Sequence, residues 1–142
     1  MLIIFSVSVS FAQTEIPYEE LPDPVKRFFP VVYIVDETLQ VNWQLKDSSY
    51  VASFISNGYP VEVQFKANGF WIITYWDIEC EWVPVSIENE ISERFFNFTP
   101  YRCRVSNNAF DEKYYHITLI PPDGNSPPQT VCFTSDGKII IP

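Results

Sequence analysis

Basic residues are scarce in this chain, where 9 Lys and Arg stand against 18 Asp and Glu for a formal charge of −9. Phosphate backbones and anionic membranes are held by basic footprints, so this shortage argues against non-specific nucleic-acid binding and membrane-surface binding. Histidine occurs once, at His116, with no Ser or Cys beside it in a nucleophile motif. His116 therefore reads as an ordinary residue of a strand face, and the chain as no enzyme. Three cysteines, Cys80, Cys103 and Cys132, are too few and too scattered for a disulfide framework or a metal knuckle. Glycine is limited to 4 residues, and low-complexity sequence is missing. The apolar run at residues 1–12 is too short to span a bilayer.

Aromatic residues, by contrast, make up 17% of the 142 residues, which is enough for a dense core without reliance on disulfides. Residues 1–12, ending in Ser10-Phe11-Ala12 ahead of Gln13, read as a secretory signal peptide cleaved after Ala12. The expected location is periplasmic or secreted. Charge is uneven: residues 13–82 carry 11 acids and 4 bases, residues 83–142 carry 7 and 5. An electropositive partner would favour the first half.

The most informative feature is an internal repeat. Leu21-Pro22, followed by Val25 and Phe28-Phe29, is echoed by Val83-Pro84, followed by Ile87, Ile91 and Phe95-Phe96. Tyr50-Val51-Ala52-Ser53-Phe54 is answered by Tyr115-His116-Ile117-Thr118-Leu119, and Val63 to Gly69 by Val131 to Gly137. The units span 13–82 and 83–142. Each opens with a helix: Tyr18 to Phe29, stopped by Pro30, and Pro84 to about Phe96. Strands follow, since Leu39, Val41, Trp43 and Leu45, and then Val61, Val63 and Phe65, alternate with polar residues. Asn57-Gly58 and Asn68-Gly69 signal hairpins. The expected fold is α+β: two tandem units, each a helix plus a four-stranded antiparallel meander, packed as one body with helices on one face and a concave open sheet face on the other.

Alternation assigns the faces. Tyr115, Ile117 and Leu119 point to the core, and the repeat places Tyr50, Ala52 and Phe54 with them, leaving Val51, Ser53 and Ile55 outside. From Phe70 to Trp82 the even positions pack inward. Trp71, Ile73, Tyr75, Asp77, Glu79 and Glu81 then lie on the open face. Cys80 and Cys103 both face the core while Cys132 does not, so Cys80–Cys103 is the expected bridge if one forms.

The motifs L-P-x-x-V, Y-x-A-x-F, V-x-V-x-F and N-G-x-W, in this order and duplicated behind a signal peptide, resemble the PepSY-like, beta-lactamase-inhibitor-like family of exported bacterial proteins. The resemblance implies tandem α/β units with a concave sheet surface, a periplasmic or extracellular location, and a binding or inhibitory role. It supplies no catalytic residues and no cofactor. Ile139 stands where the first unit has Trp71, so the second open face is smaller.

The candidate contact surface joins Val51, Ile55, Trp71, Ile73 and Tyr75, because contiguous aromatic and apolar residues mark contact surfaces. Asp77, Glu79 and Glu81, about 7 Å apart along one strand, would extend it toward a basic protein partner, or simply solvate a strand end. Calcium would need six to eight converging oxygens, and no metal is expected there. The proline-stiffened loop Pro121 to Pro128 would present Asp123 and Asn125. The leading reading is a non-enzymatic protein-binding module, as an inhibitor of a peptidase or other hydrolase in its sharpest form. The alternatives are a structural domain that forms a homodimer through the sheet face, and a small-ligand carrier.

Overall fold

Residues 14–33 and 38–140 are described by a computed structural model. The expected signal peptide, with Gln13, lies outside the described residues. Among the described residues, nine strands form one antiparallel sheet in sequential order. They are β1 (Thr14–Glu15), β2 (Asn42–Lys46), β3 (Ser49–Ser56), β4 (Tyr59–Phe65), β5 (Trp71–Ile78), β6 (Thr99–Asn108), β7 (Lys113–Ile120), β8 (Gln129–Thr134) and β9 (Ile139–Ile140). Helix α1 (Asp23–Val32) falls between β1 and β2, and α2 (Val85–Arg94) between β5 and β6. Four strands follow each helix, but β1 adds a ninth and pairs with β2 through Thr14–Leu45 and Glu15–Gln44. The count thus differs from four per unit. The sheet is continuous, since β5 and β6 pair from Ile73–Asn108 to Ile78–Cys103.

Both helices start at proline. Pro22 and Pro84 occupy the N-cap positions, and a single 3-10 turn precedes each helix, at Tyr18–Glu20 and Cys80–Trp82. Proline suits these positions because its missing N–H is unneeded at a helix start. Pro30 does not stop α1, which runs on to Val32. Its fixed φ is itself helical, so the ring costs one backbone bond without forcing an immediate end.

Two core clusters lie on the helix-bearing side of the sheet. In the first, Val25 and Phe29 of α1 meet Trp43, Ala52, Phe54, Val61, Val63 and Phe65. The Phe29 ring stands edge-on to Trp43 at 5.1 Å and to Phe54 at 6.0 Å. In the second, Ile87 and Ile91 of α2 meet Val105, Tyr115, Ile117, Leu119 and Phe133. Trp76 packs against both clusters and couples them. Burying each such aromatic or branched side chain stabilises the fold by roughly 1.5–3 kcal/mol.

The hairpins are tight. Asn57 and Gly58, with φ of 52° and 83°, join β3 to β4, and Asp47 and Ser48, with φ of 48° and 68°, join β2 to β3. Positive φ at both turn residues matches the twist of the flanking strands. Cys80 and Cys103 form a disulfide with Cα atoms 5.1 Å apart. This ties the second 3-10 turn to β6. Among the described residues no helix is long and apolar enough to cross a membrane.

Candidate binding surface

With both helices on one side, the other side of the sheet is left to strand side chains. Cross-strand register defines its rows. One row runs Asn42, Ser53, Glu62, Tyr75, Ser106, Tyr114 and Thr134; its neighbour runs Asp77, Arg104, His116, Cys132 and Ile140. A single cavity of about 350 Å³ takes lining residues from Lys46 of β2 to Thr130 of β8. Six strand intervals in a flat sheet would separate these strands by about 29 Å. The sheet therefore curls around this face, and the face is concave. Two of its residues are sealed: Val51 is 2% exposed and Ser106 1%.

The polar chemistry of the face centres on β6. Arg102 donates from Nε and Nη2 to the two carboxylate oxygens of Asp77, at 3.0 and 3.2 Å. Arg104 Nε lies 3.4 Å from the same carboxylate without hydrogen-bonding to it, while its guanidinium covers the Tyr75 ring at 4.7 Å. Two arginines thus share one acid. That Nε–H is buried and hydrogen-bonded to nothing among the described residues. Ser106 Oγ and His116 Nε2 are 2.8 Å apart, and the His116 ring lies 5.7 Å from Tyr75. Burial, helped by the nearby Arg104 charge, lowers the His116 pKa; burial, with Glu62 adding to it, raises that of Tyr75.

Ile73 and Tyr75 lie on the open face, both half-buried. Val51 is there too, in register between Gln44 and Gln64, but sealed from solvent. Ile55, 59% exposed, stands at the β3 end. Trp71 is a correction. A register shift between Gln64 and Phe65 pairs Trp71 with the core residue Phe65, so the indole packs on the first cluster and donates Nε1–H to Thr74 Oγ1 at 2.9 Å. A bulge offsets alternation by one residue, which turns the earlier side chain to the other face.

The acidic strand end is also corrected. β5 stops at Ile78, so only Asp77 of the three acids belongs to the strand, and it is held by arginines. Glu79 precedes the 3-10 turn and accepts a hydrogen bond from the Tyr59 hydroxyl at 3.0 Å, an arrangement that raises the Tyr59 pKa. Trp82, expected inward, is 62% exposed beside Tyr59. Among the described residues no cluster of three His, Cys, Asp or Glu is placed to hold a metal ion.

The long loop is ordered by its own acid. Asp123 accepts from Asn125 N–H at 2.9 Å, from Ser126 N–H at 3.0 Å and from the Ser126 hydroxyl at 2.5 Å. The Ser126 hydroxyl chiefly, with the two backbone donors, lowers the Asp123 pKa. The carboxylate is therefore engaged within the loop. At the loop's base, Thr118 and Thr130 hydroxyls meet at 3.0 Å on the cavity wall.

No protein-family profile matches the chain, and no curated protein matches it significantly. Solved structures do. A candidate periplasmic protein from Bacteroides eggerthii DSM 20697 superposes with a TM-score of 0.74 at 20% identity, covering 85% of this chain and 86% of that one. A DUF2874 family protein from Bacteroides uniformis ATCC 8492 gives 0.74 at 20% identity over 84% and 86%. A BLIP-like protein from Bacteroides fragilis NCTC 9343 gives 0.71 at 16% identity over 89% and 85%. The chain has a BLIP-like fold. At these identities the likeness extends to the fold alone.

Sequence reasoning missed the basic side of the face. Lys46, the Arg102 and Arg104 pair, and His116 sit on three strands, β2, β6 and β7, and only pairing register gathers them. The alternation of Arg102, Arg104 and Ser106 with Cys103 and Val105 was a usable signal.

Proposed function

We propose that the chain is an exported, non-enzymatic binding protein of two PepSY-like units that grips a partner protein in its concave sheet face. One observation carries the reading: the helices close one side of the sheet, whereas the other side curls around a cavity walled by five well-packed strands and the end of β2. Ile73 and Tyr75 supply half-buried apolar and aromatic area there, the kind of surface that anchors interfaces. The Pro121–Pro128 loop adjoins the same face at Thr130 and is stiffened in advance, which lowers the ordering cost of contact. The signal-peptide reading of residues 1–12 and the candidate periplasmic neighbour support export.

Two units are supported by matched detail at a spacing of 62 residues. The 3-10 turns, N-cap prolines and both ends of the helices recur at that offset. Gly69 and Gly137 each turn close against the first turn of their own helix, where an added Cβ would collide with Pro24 or Ser86. Inhibition of a peptidase or other hydrolase is the sharper form of this reading, drawn from the BLIP-like name of a neighbour.

The test is a photo-crosslinking residue placed at Ile73 or at Val31, which lies exposed on α1, in the exported chain in its native envelope. Crosslinks to a different protein from position 73 and none from position 31 are expected. Crosslinks only to a second copy would make this face a homodimer surface, and partner crosslinks only from position 31 would overturn the assignment.

A further inference from the structure

The open face of this acidic protein carries a basic cluster. Lys46, Arg102 and Arg104, three of nine basic residues, line one cavity with His116. Only two carboxylates stand against them, Glu62 on the cavity wall and Asp77 beside it. Glu62 accepts from Gln64 Nε2 at 3.0 Å. Asp77 is already bound by Nε and Nη2 of Arg102. Arg104 is consequently left with a buried, unsatisfied Nε–H and a single shared counter-ion at 3.4 Å. Lys46 has no ion pair among the described residues.

An unsatisfied buried donor in a native fold needs a reason. The guanidinium lies over the Tyr75 ring, 4.7 Å from its centroid, a contact that restrains the placement of its donors. Around it, the Thr118 and Thr130 hydroxyls and the His116 imidazole offer further hydrogen-bonding groups. Directed cation, surplus positive charge and neutral donors together are the recognition set of a carboxylate. The overall charge of −9 repels anions at long range, so selectivity must arise inside the cavity, where screening by solvent is weakest.

We propose that this cavity is a carboxylate site that receives an acidic side chain of the partner. The inference rests on the partner-binding reading above and gives the partner a sign: the docking segment is acidic, not basic as the acid-rich sequence suggests. Arg104 is the principal anchor, Lys46 the outer charge, and the Thr118–Thr130 pair the neutral wall.

The experiment is a titration of the ¹⁵N-labelled chain, followed by NMR, with the blocked peptide acetyl-Glu-Glu-amide, with its acetyl-Gln-Gln-amide counterpart, and with succinate. Saturable shifts at His116, Thr118 and Tyr75 are expected with the glutamate peptide and succinate but not with the glutamine peptide. Arg104→Gln is expected to weaken binding about tenfold, as loss of a charge-assisted bond should. Lys46→Met, at an exposed strand end, is expected to weaken it severalfold without risk to folding. Arg94→Gln on α2 should change nothing. Equal response to the glutamine peptide, no response in the cavity, or indifference to Arg104→Gln and Lys46→Met would overturn the site. Succinate binding without glutamate-peptide binding would overturn the side-chain form and leave a site for free carboxylates. Because the crosslinking test needs no anion, a crosslinked partner with an inert cavity sinks this inference alone, and a working cavity without a partner sinks the other.

Discussion

Ser106 Oγ meets His116 Nε2 at 2.8 Å across β6 and β7, on the concave side of the sheet. Ser106 is almost wholly buried, so the contact ties the only imidazole of the chain to the floor of the face. Arg104 and Cys132 flank His116 on the adjacent strands, and Tyr75 faces it. Burial and the Arg104 charge both disfavour the imidazolium.

The pH dependence follows with a definite sign. A folded-state pKa lowered from the ordinary value of 6.5 means that the unfolded chain binds the proton more readily. The contribution of His116 to stability is complete above about pH 6.5 and is lost as pH falls through the folded value. The wild type should therefore lose more stability between pH 7.5 and 5 than His116→Gln does, read by urea unfolding. An NMR titration of the histidine should give a pKa below 6.5. A value above it would show that burial and the Arg104 charge do not govern the imidazole. Bound carboxylate should raise this pKa, so the glutamate peptide should bind more tightly as pH falls through the His116 titration.

The turn glycines separate two causes of strain. Gly69 and Gly137 have φ of 86° and 88°, and a Cβ at either would lie 2.8 Å from Pro24 O or 2.7 Å from Ser86 O. Gly58 and Gly124 also have positive φ but face open space. Gly137→Ala and Gly69→Ala should each cost about 2–4 kcal/mol, and Gly58→Ala about 1 kcal/mol, in denaturant unfolding. Equal costs at all three would mean that the backbone conformation alone matters, not the approach of the helix.

The disulfide closes a loop spanning the second 3-10 turn and α2, with a sequence separation of 23. Chain-entropy arguments give roughly 3 kcal/mol for a loop of this size. The Cys80→Ala, Cys103→Ala double variant should be less stable by about that amount. Cys132 is half-buried and its thiol pKa is raised by burial, so the native chain should show one free thiol that reacts slowly and becomes fast on unfolding.

Much of the core was legible because it depends on period. Val61, Val63 and Phe65 alternate and are buried, and Ile87 and Ile91 share the buried side of α2. Tyr115, Ile117 and Leu119 face the second cluster as expected, and Cys80 meets Cys103. Trp71 escaped because a bulge has no signature in alternation; the residue that flips looks like its neighbours. Asp77, Glu79 and Glu81 escaped for a related reason, since the strand ends between the first and second of them. Arg102 and Arg104 were overlooked because charge was summed along the chain, whereas the cavity gathers it across strands.

The corrected position of Trp71 changes what its removal should do. The indole packs on the first cluster and bonds Thr74, so Trp71→Ala should cost about 2–4 kcal/mol of stability and leave glutamate-peptide binding unchanged in the folded fraction. Tyr75→Ala should do the opposite. It removes the ring on which Arg104 lies, and should weaken peptide binding severalfold at a smaller cost in stability. Unfolding curves and the NMR titration on both variants decide the matter.

Asp77 offers the sharpest reversal of expectation, because it reads in sequence as an acid on offer and in the fold as the counter-ion of two arginines. Its side chain is 17% exposed, with Arg102 bonded to both oxygens and Arg104 close to one. Asp77→Asn leaves both guanidinium charges without that partner, which should lower stability by about 2 kcal/mol, less than for a fully buried pair. The same change removes the acid that competes with an incoming carboxylate for Arg104. Binding of acetyl-Glu-Glu-amide should therefore tighten even as the fold weakens, and the two are separated by measuring affinity and urea unfolding on one preparation. A peptide affinity that falls would show that Asp77 positions the arginines rather than competing for them.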